Sequence, residues 1–227
     1  MDALTATQAA ERISGFLWKV YGWMAIGLGI TAVVAFVIAG SPEILRVLVG
    51  NRIVFFALIL AELGLVFFLS SRAASLAPTT ASGLFAFYSG LNGATLSVIL
   101  LAYTGESVAT TFVVTGGMFG ALALFGSTTK RSLAGAGQFF MMGLVGLILC
   151  SIVGLFWHND ALQFLISVVG VIVFTGLTAY DAQRLKQMAL ALPEGQAGSY
   201  AVVGALSLYL DFINLFLMLL RFTGRRN

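Results

Sequence analysis

Charge is what this sequence has least of. Of 227 residues, 12 are Lys or Arg and 9 are Asp or Glu, so 9% are charged, against about 25% in an ordinary soluble domain. With 59% hydrophobic residues and a mean hydropathy of +1.01, too little polar sequence remains to coat a water-facing surface. A soluble globule is excluded, and with it a disordered chain, a coiled coil and a disulfide scaffold. There is one cysteine, Cys150, inside an apolar run, so no internal disulfide forms; lipid-facing or core packing is its expected place. One histidine and one cysteine cannot build the nitrogen and sulfur shell that zinc prefers. The net charge is +3 and the pI about 9.2, but the basic residues are scattered between apolar runs, without the basic and aromatic strip that nucleic acid requires.

What is present is a series of apolar runs. A spanning helix needs about 20 predominantly apolar residues, and seven runs qualify: 20 to 39, 53 to 69, 81 to 103, 107 to 125, 139 to 157, 162 to 180 and 202 to 220. The expected fold class is therefore an all-α membrane protein with seven transmembrane helices, a single polytopic domain over 1 to 227. The polar stretch before the first run contains Glu11 and Arg12 and no convincing cleavage site, which reads as a retained span rather than a signal peptide. The longest connection, about 20 residues by the lengths these runs allow, lies between the sixth and seventh runs. The activity is expected within the bilayer.

Basic residues set the orientation. A cytoplasmic N-terminus puts Arg12, Lys19, Arg72, Lys130, Arg131, Arg184 and Lys186 on that side, against Arg46, Arg52, Arg221, Arg225 and Arg226. Without the tail the bias is clear and favours a cytoplasmic N-terminus. The last run is then the anomaly: either it crosses against the charge rule, buried by its neighbours, or it re-enters and returns. Small residues four apart (Ser89 and Gly93, Gly93 and Ser97, Gly116 and Gly120) are expected to let helices pack closely.

Three carboxylates carry the chemistry. Asp211 has nine residues on either side within the last run, about 13 to 14 Å from each end at 1.5 Å per residue, which places it near the midplane. An acid there costs about 2.5 to 3.5 kcal/mol on insertion scales, so a proton or ion pathway is the default reading. The alternative is a structural acid hydrogen-bonded to a neighbouring helix, with Ser207 and Asn214 as supporting polar groups on the same face. Asp181 closes the sixth run, and a short polar loop joins that helix to the one carrying Asp211, so the hairpin can bring the two carboxylates together. Such a pair shares one proton and titrates as a unit. Once the proton leaves, two hard oxygen donors remain at Asp181 and Asp211, a metal set suited to Ca²⁺. Glu62, inside the second run, reads as an ion-pathway acid or a structural hydrogen-bonding group. Arg72 just beyond it is either a snorkelling anchor or a latch that pairs with Asp181. His158 is expected in a wet loop and Asn92 to hydrogen-bond across helices. No phosphate loop, His-Glu-x-x-His, Gly-x-Ser-x-Gly or Cys-x-x-Cys is present, so no enzyme and no resident cofactor are expected.

The stretches LTAYDAQRLKQM (177 to 188), ALSLYLDFINLFL (205 to 217), FYSGLNGATLS (87 to 97), KVYGWMAIGLGIT (19 to 31) and ELGLVFFLSS (62 to 71) resemble the Bax inhibitor, or transmembrane Bax inhibitor motif, family. The resemblance covers nearly the whole chain, with Tyr-Asp-x-Gln and Leu-Tyr-Leu-Asp-x-Ile-Asn in order. It implies seven helices with the last one central and wrapped by the other six, and a pH-sensitive Ca²⁺ leak. It places the di-aspartyl sensor on Asp181 and Asp211, the intramembrane glutamate on Glu62 and the latch arginine on Arg72. The bacterial type, a multi-pass protein of the inner membrane, is the one resembled, so anti-apoptotic roles do not carry over.

Three readings follow. The first is a Ca²⁺-permeable channel or leak, with Asp181 and Asp211 as the gate and Glu62 attracting the cation. The second is an intramembrane aspartyl protease, whose second acid sits in Gly-x-Gly-Asp; this chain has Leu208, Tyr209 and Leu210 before Asp211, which argues against it. The third is a membrane regulator that binds another membrane protein. The expected partners are calcium, the lipid bilayer and, in the third reading, that protein.

Overall fold

A computed structural model of the chain describes residues 6–157, 159–193 and 196–227. Among them are eight helices: α1 (Ala6–Ala39), α2 (Pro42–Gly50), α3 (Arg52–Ser71), α4 (Pro78–Leu100), α5 (Gly105–Thr128), α6 (Ala134–Phe156), α7 (Asp160–Ala191) and α8 (Ala197–Thr223). All except α2 are long and apolar enough to cross a membrane. Large apolar side chains such as Trp18, Phe36, Phe67 and Phe156 stand exposed, an arrangement that lipid accepts and water does not. Cys150 is free and exposed as well.

The seven spans fall where the apolar runs lie, but their ends differ. Helix α1 begins at Ala6 rather than near residue 20: Phe16, Val20 and Met24 are buried four residues apart, one helical face continued below the apolar run. The Arg12 guanidinium donates to the Leu192 carbonyl, which ties this early turn to the chain between α7 and α8. Helix α7 does not close at Asp181 but runs to Ala191. The expected long connection therefore shrinks to residues 192–196, because both flanking helices extend into it. The short α2 was not foreseen. Pro42 stands in its first turn, where the missing N–H costs nothing, and Pro78 does the same for α4. Asn51 caps α3 by accepting from Ile53 N at 3.0 Å, and Thr104 caps α5 through Ser107 N. His158 lies outside the described residues.

The chain forms two compact units: residues 1–102, 188–209 and 227 in one, 103–187 and 210–226 in the other. In the first, α4 packs against α1 and α3. Gly93 makes this possible, since a β-carbon there would stand 2.7 Å from the Thr31 carbonyl oxygen. Gly116 and Gly120 meet nothing and lie exposed, so close packing applies to the first of the small-residue pairs and not to the last. In the second unit, Leu147, Ile166, Phe174, Leu177 and Leu215 form a core. Helix α8 runs unbroken through 27 residues, which removes the re-entrant alternative. Two thirds of its most apolar stretch is buried, against 11% in α3.

Candidate functional site

Asp181 is placed by its neighbours in sequence. Ala179 presses its backbone on Gly126 of α5, and the Tyr180 ring covers Gly137 of α6, positions where no β-carbon fits. Two residues beyond Asp181, the Gln183 amide accepts from Leu133 N at 2.7 Å and donates to the Arg131 carbonyl at 2.9 Å. One turn further, Lys186 Nζ donates to the Ser127 carbonyl at 2.7 Å. The turn from α5 to α6 is thereby clamped to α7 just beyond the acid. The Gln of Tyr-Asp-x-Gln is a structural clamp, a role that the sequence motif alone did not reveal.

Asp211 is placed by aromatic packing. Phe212 sits edge-on to Phe112 at 5.3 Å and to Phe119 at 5.6 Å, geometry that aromatic quadrupoles favour. Leu215 is fully buried in the core with Leu147 and Phe174. Just before these anchors Asp211 is 6% exposed, and its Oδ2 has no hydrogen-bond partner. The charged neighbour that acts on it is Asp181. The hairpin thus brings these two acids within electrostatic reach inside one unit, although Asp181 lies within its helix and not at its end. Arg184, one turn beyond Asp181, is the cation that acts on that acid, a role beyond its part in the orientation bias.

Asn214 spends its amide on the Leu210 carbonyl of its own helix, at 2.8 Å, and Ser207 is half-buried. Arg72 is exposed, its guanidinium 6.0 Å from the Phe68 ring centre. Among the described residues no group of three or more His, Cys, Asp or Glu gathers into a metal cluster. A cation at Asp181 and Asp211 would need carbonyl oxygens or water for the rest of its six to eight ligands.

Glu62 occupies a separate polar network in the first unit. It is buried, accepts from Thr95 Oγ1, and accepts from Asn92 Nδ2 at 3.3 Å. Asn92 does bond across helices, and in two directions, because its Oδ1 accepts from Tyr209 Oη at 2.9 Å. Tyr209 in turn touches Thr31 Oγ1 at 2.6 Å, and Thr31 lies 2.8 Å from the Ser89 carbonyl. Tyr209 is fully buried between the rings of Phe85 and Tyr88, each 5.7 Å away. Thr31, Thr95 and Tyr209 were not singled out from sequence. A tyrosine two residues before a buried acid, on an otherwise apolar helix, was the available signal.

Residues 13–227 match the family described as inhibitor of apoptosis-promoting Bax1. The chain is 47% identical over 222 residues to the inner membrane protein YbhL of Escherichia coli, covering 96% of this chain and 95% of that one. It is 44% identical over 213 residues to an uncharacterized protein of Borreliella burgdorferi, covering 93% and 92%. It is 36% identical over 229 residues to an uncharacterized membrane protein of Streptococcus pyogenes, covering 100% and 99%. Matches of this length and identity, on a chain whose helices hold the two motif acids in one unit, leave one conclusion: the protein belongs to the Bax inhibitor family.

Proposed function

We propose that this protein is a pH-gated, Ca²⁺-permeable leak in the bacterial inner membrane, with its N-terminus in the cytoplasm. The observation that carries the reading is Asp211 Oδ2, a carboxyl oxygen without a partner in the most buried helix, with a second acid as its charged neighbour. An acceptor left unmade in such a place costs about 1 to 3 kcal/mol or more, and a proton or a hard cation is what relieves it. With a proton shared between Asp181 and Asp211 the helices are held and the path is closed. Loss of the proton leaves two anions that repel each other and attract a divalent cation, so flux rises with pH. Glu62 is the acid that attracts the cation, and Arg72 is the latch of the closed state. The name of the Escherichia coli relative supports the membrane assignment.

The test is Ca²⁺ entry into liposomes that contain the purified protein, measured on both sides of neutral pH. The wild type is expected to pass more Ca²⁺ at the alkaline end. Asp181→Asn and Asp211→Asn are each expected to flatten that pH dependence. Two variants that keep the wild-type response would overturn the gate, and a wild type that passes no Ca²⁺ at any pH would overturn the leak.

A further inference from the structure

The network behind Glu62 has more hydrogen-bond contacts than protons to fill them. Thr31 Oγ1 lies within reach of both the Ser89 carbonyl and Tyr209 Oη, and Tyr209 Oη also reaches Asn92 Oδ1. These are three contacts, and the only protons available to them are one on each hydroxyl. With Asn92 Oδ1 toward Tyr209 only two can be filled at a time, and which end of the chain supplies the missing proton sets its direction.

Asn92 decides the direction, because an amide offers a donor at one end and an acceptor at the other. With Nδ2 toward Glu62, as observed, Oδ1 takes the Tyr209 proton, Tyr209 accepts from Thr31, and the Ser89 carbonyl is left to its own helix. With the amide turned over, Oδ1 faces Glu62 and needs a proton from it. Nδ2 then donates to Tyr209, Tyr209 donates to Thr31, and Thr31 donates to Ser89. The first direction requires Glu62 as a carboxylate and the second requires it as an acid.

We propose that Tyr209 and Thr31 are positioning residues for Glu62: with Asn92 they form a reversible hydrogen-bond chain that turns over when Glu62 gains or loses a proton. The far end of the chain is the Ser89 carbonyl, one turn before Gly93, where α1 and α4 pack too closely to admit a β-carbon. The protonation of one acid on α3 is thereby registered at the α1–α4 contact. The proposal rests on the reading of Glu62 as the cation-attracting acid and deepens it. The ionised form is steadied by Asn92 Nδ2 and Thr95.

Few other charges interfere. The titratable groups that feel Glu62 are Tyr88 of α4 and Tyr209 of α8. Arg52 at the start of α3 and Arg72 at its C-terminal cap lie ten residues to either side, about 15 Å along the axis. Helix α4 carries no charged residue, and neither does α8 from Ala197 to Tyr209. On α1, Glu11, Arg12, Lys19 and Tyr21 all precede Thr31 by ten residues or more. Glu43 and Arg46 of α2 are exposed.

The experiment is infrared difference spectroscopy of the full chain in lipid nanodiscs, stepped between alkaline and acid buffer without Ca²⁺, with ring-labelled tyrosine. Acidification of the wild type is expected to raise a carboxylic acid band that is absent in Glu62→Gln. It is also expected to move a tyrosine C–O band that is absent in Tyr209→Phe. Because a glutamine amide donates to Asn92 Oδ1 as the acid does, Glu62→Gln is expected to hold the tyrosine band at its acid position at every pH. In Thr31→Val the acid band should persist while the tyrosine shift shrinks. A Glu62 band that rises while the tyrosine band stays still would overturn the chain, and so would the absence of any Glu62 band or a tyrosine band in Glu62→Gln that stays at the alkaline position. No flux is measured, so a failure here leaves the leak standing, and a failed flux assay leaves this chain standing.

Discussion

An unpartnered carboxyl oxygen in a buried helix is a debit to the fold, and the chain keeps it. Asp211 is buried beside Phe212, which packs edge-on against Phe112 and Phe119, with the core residue Leu215 one turn on. Ionising an acid in such surroundings costs more than keeping it neutral. Asp211→Asn, which keeps the shape and cannot ionise, is therefore expected to unfold in detergent at the same temperature as wild type in acid buffer and at a higher one in alkaline buffer. The gain is bounded by the insertion penalty of about 2.5 to 3.5 kcal/mol. A variant less stable than wild type at every pH would mean that the carboxylate is held by a bond that asparagine cannot make. Asp211, Asp181 and Glu62 were legible in the sequence because a charge in or beside an apolar run is rare enough to be a signal by itself. Tyr209, Thr31 and Thr95 were not, since hydroxyls are ordinary in membrane helices and their meaning comes from partners far along the chain. Thr31 meets Ser89 and Tyr209, 58 and 178 residues away, and nothing in the local pattern around Thr31 points to either.

Helices follow a different rule from residues. Hydropathy marks where a chain enters hydrocarbon, while the helix continues for as long as backbone bonds and caps support it. That is why all seven spans were read correctly and their ends were not. Helix α1 starts early on the buried face of Phe16, Val20 and Met24, and α7 overshoots Asp181 by ten residues because Gln183 and Lys186 fix it to the α5–α6 connection. Gln183→Ala removes two of those bonds and is expected to cost about 1 to 3 kcal/mol, read as an earlier thermal unfolding transition. Gln183→Asn, one methylene short of both partners, should fall with it. Glycines separate the helix contacts in the same way. Gly93→Leu drives a side chain into the Thr31 backbone and is expected to destabilise by about 1 to 3 kcal/mol. Gly116→Leu meets nothing and should leave the transition within about 0.5 kcal/mol of wild type. Equal losses at the two positions would show that both glycines lie at contacts.

At the scale of the molecule, the question that the charge pattern left open was whether the last helix crosses. Twenty-seven unbroken residues in α8 reach about 40 Å at 1.5 Å each, more than the roughly 30 Å hydrocarbon layer. The end of the chain is fastened to the connection between α4 and α5. Asn227 N donates to the Ala102 carbonyl at 3.1 Å, Thr104 N donates to the Arg225 carbonyl at 3.0 Å, and the Arg226 guanidinium lies 6.0 Å from the Tyr103 ring centre. Arg225 and Arg226 thus sit beside the α4–α5 connection; with the proposed cytoplasmic N-terminus this is the side the positive-inside rule disfavours, and burial of α8 is what would outweigh their pull. Parity makes this testable with single cysteines in a Cys150→Ser background. Between the exposed Ala74, in the turn before α4, and Asn227 lie α4, α5, α6, α7 and α8, an odd number of crossings, so cysteines at the two positions must face opposite compartments. A membrane-impermeant maleimide added to intact spheroplasts is expected to label Asn227→Cys and spare Ala74→Cys, with both labelled once the membrane is opened. The reverse pattern would keep the parity and invert the orientation, which would mean that the three tail arginines outweigh the seven basic residues on the other face. Labelling of both from one side would mean that α8, for all its length, does not cross.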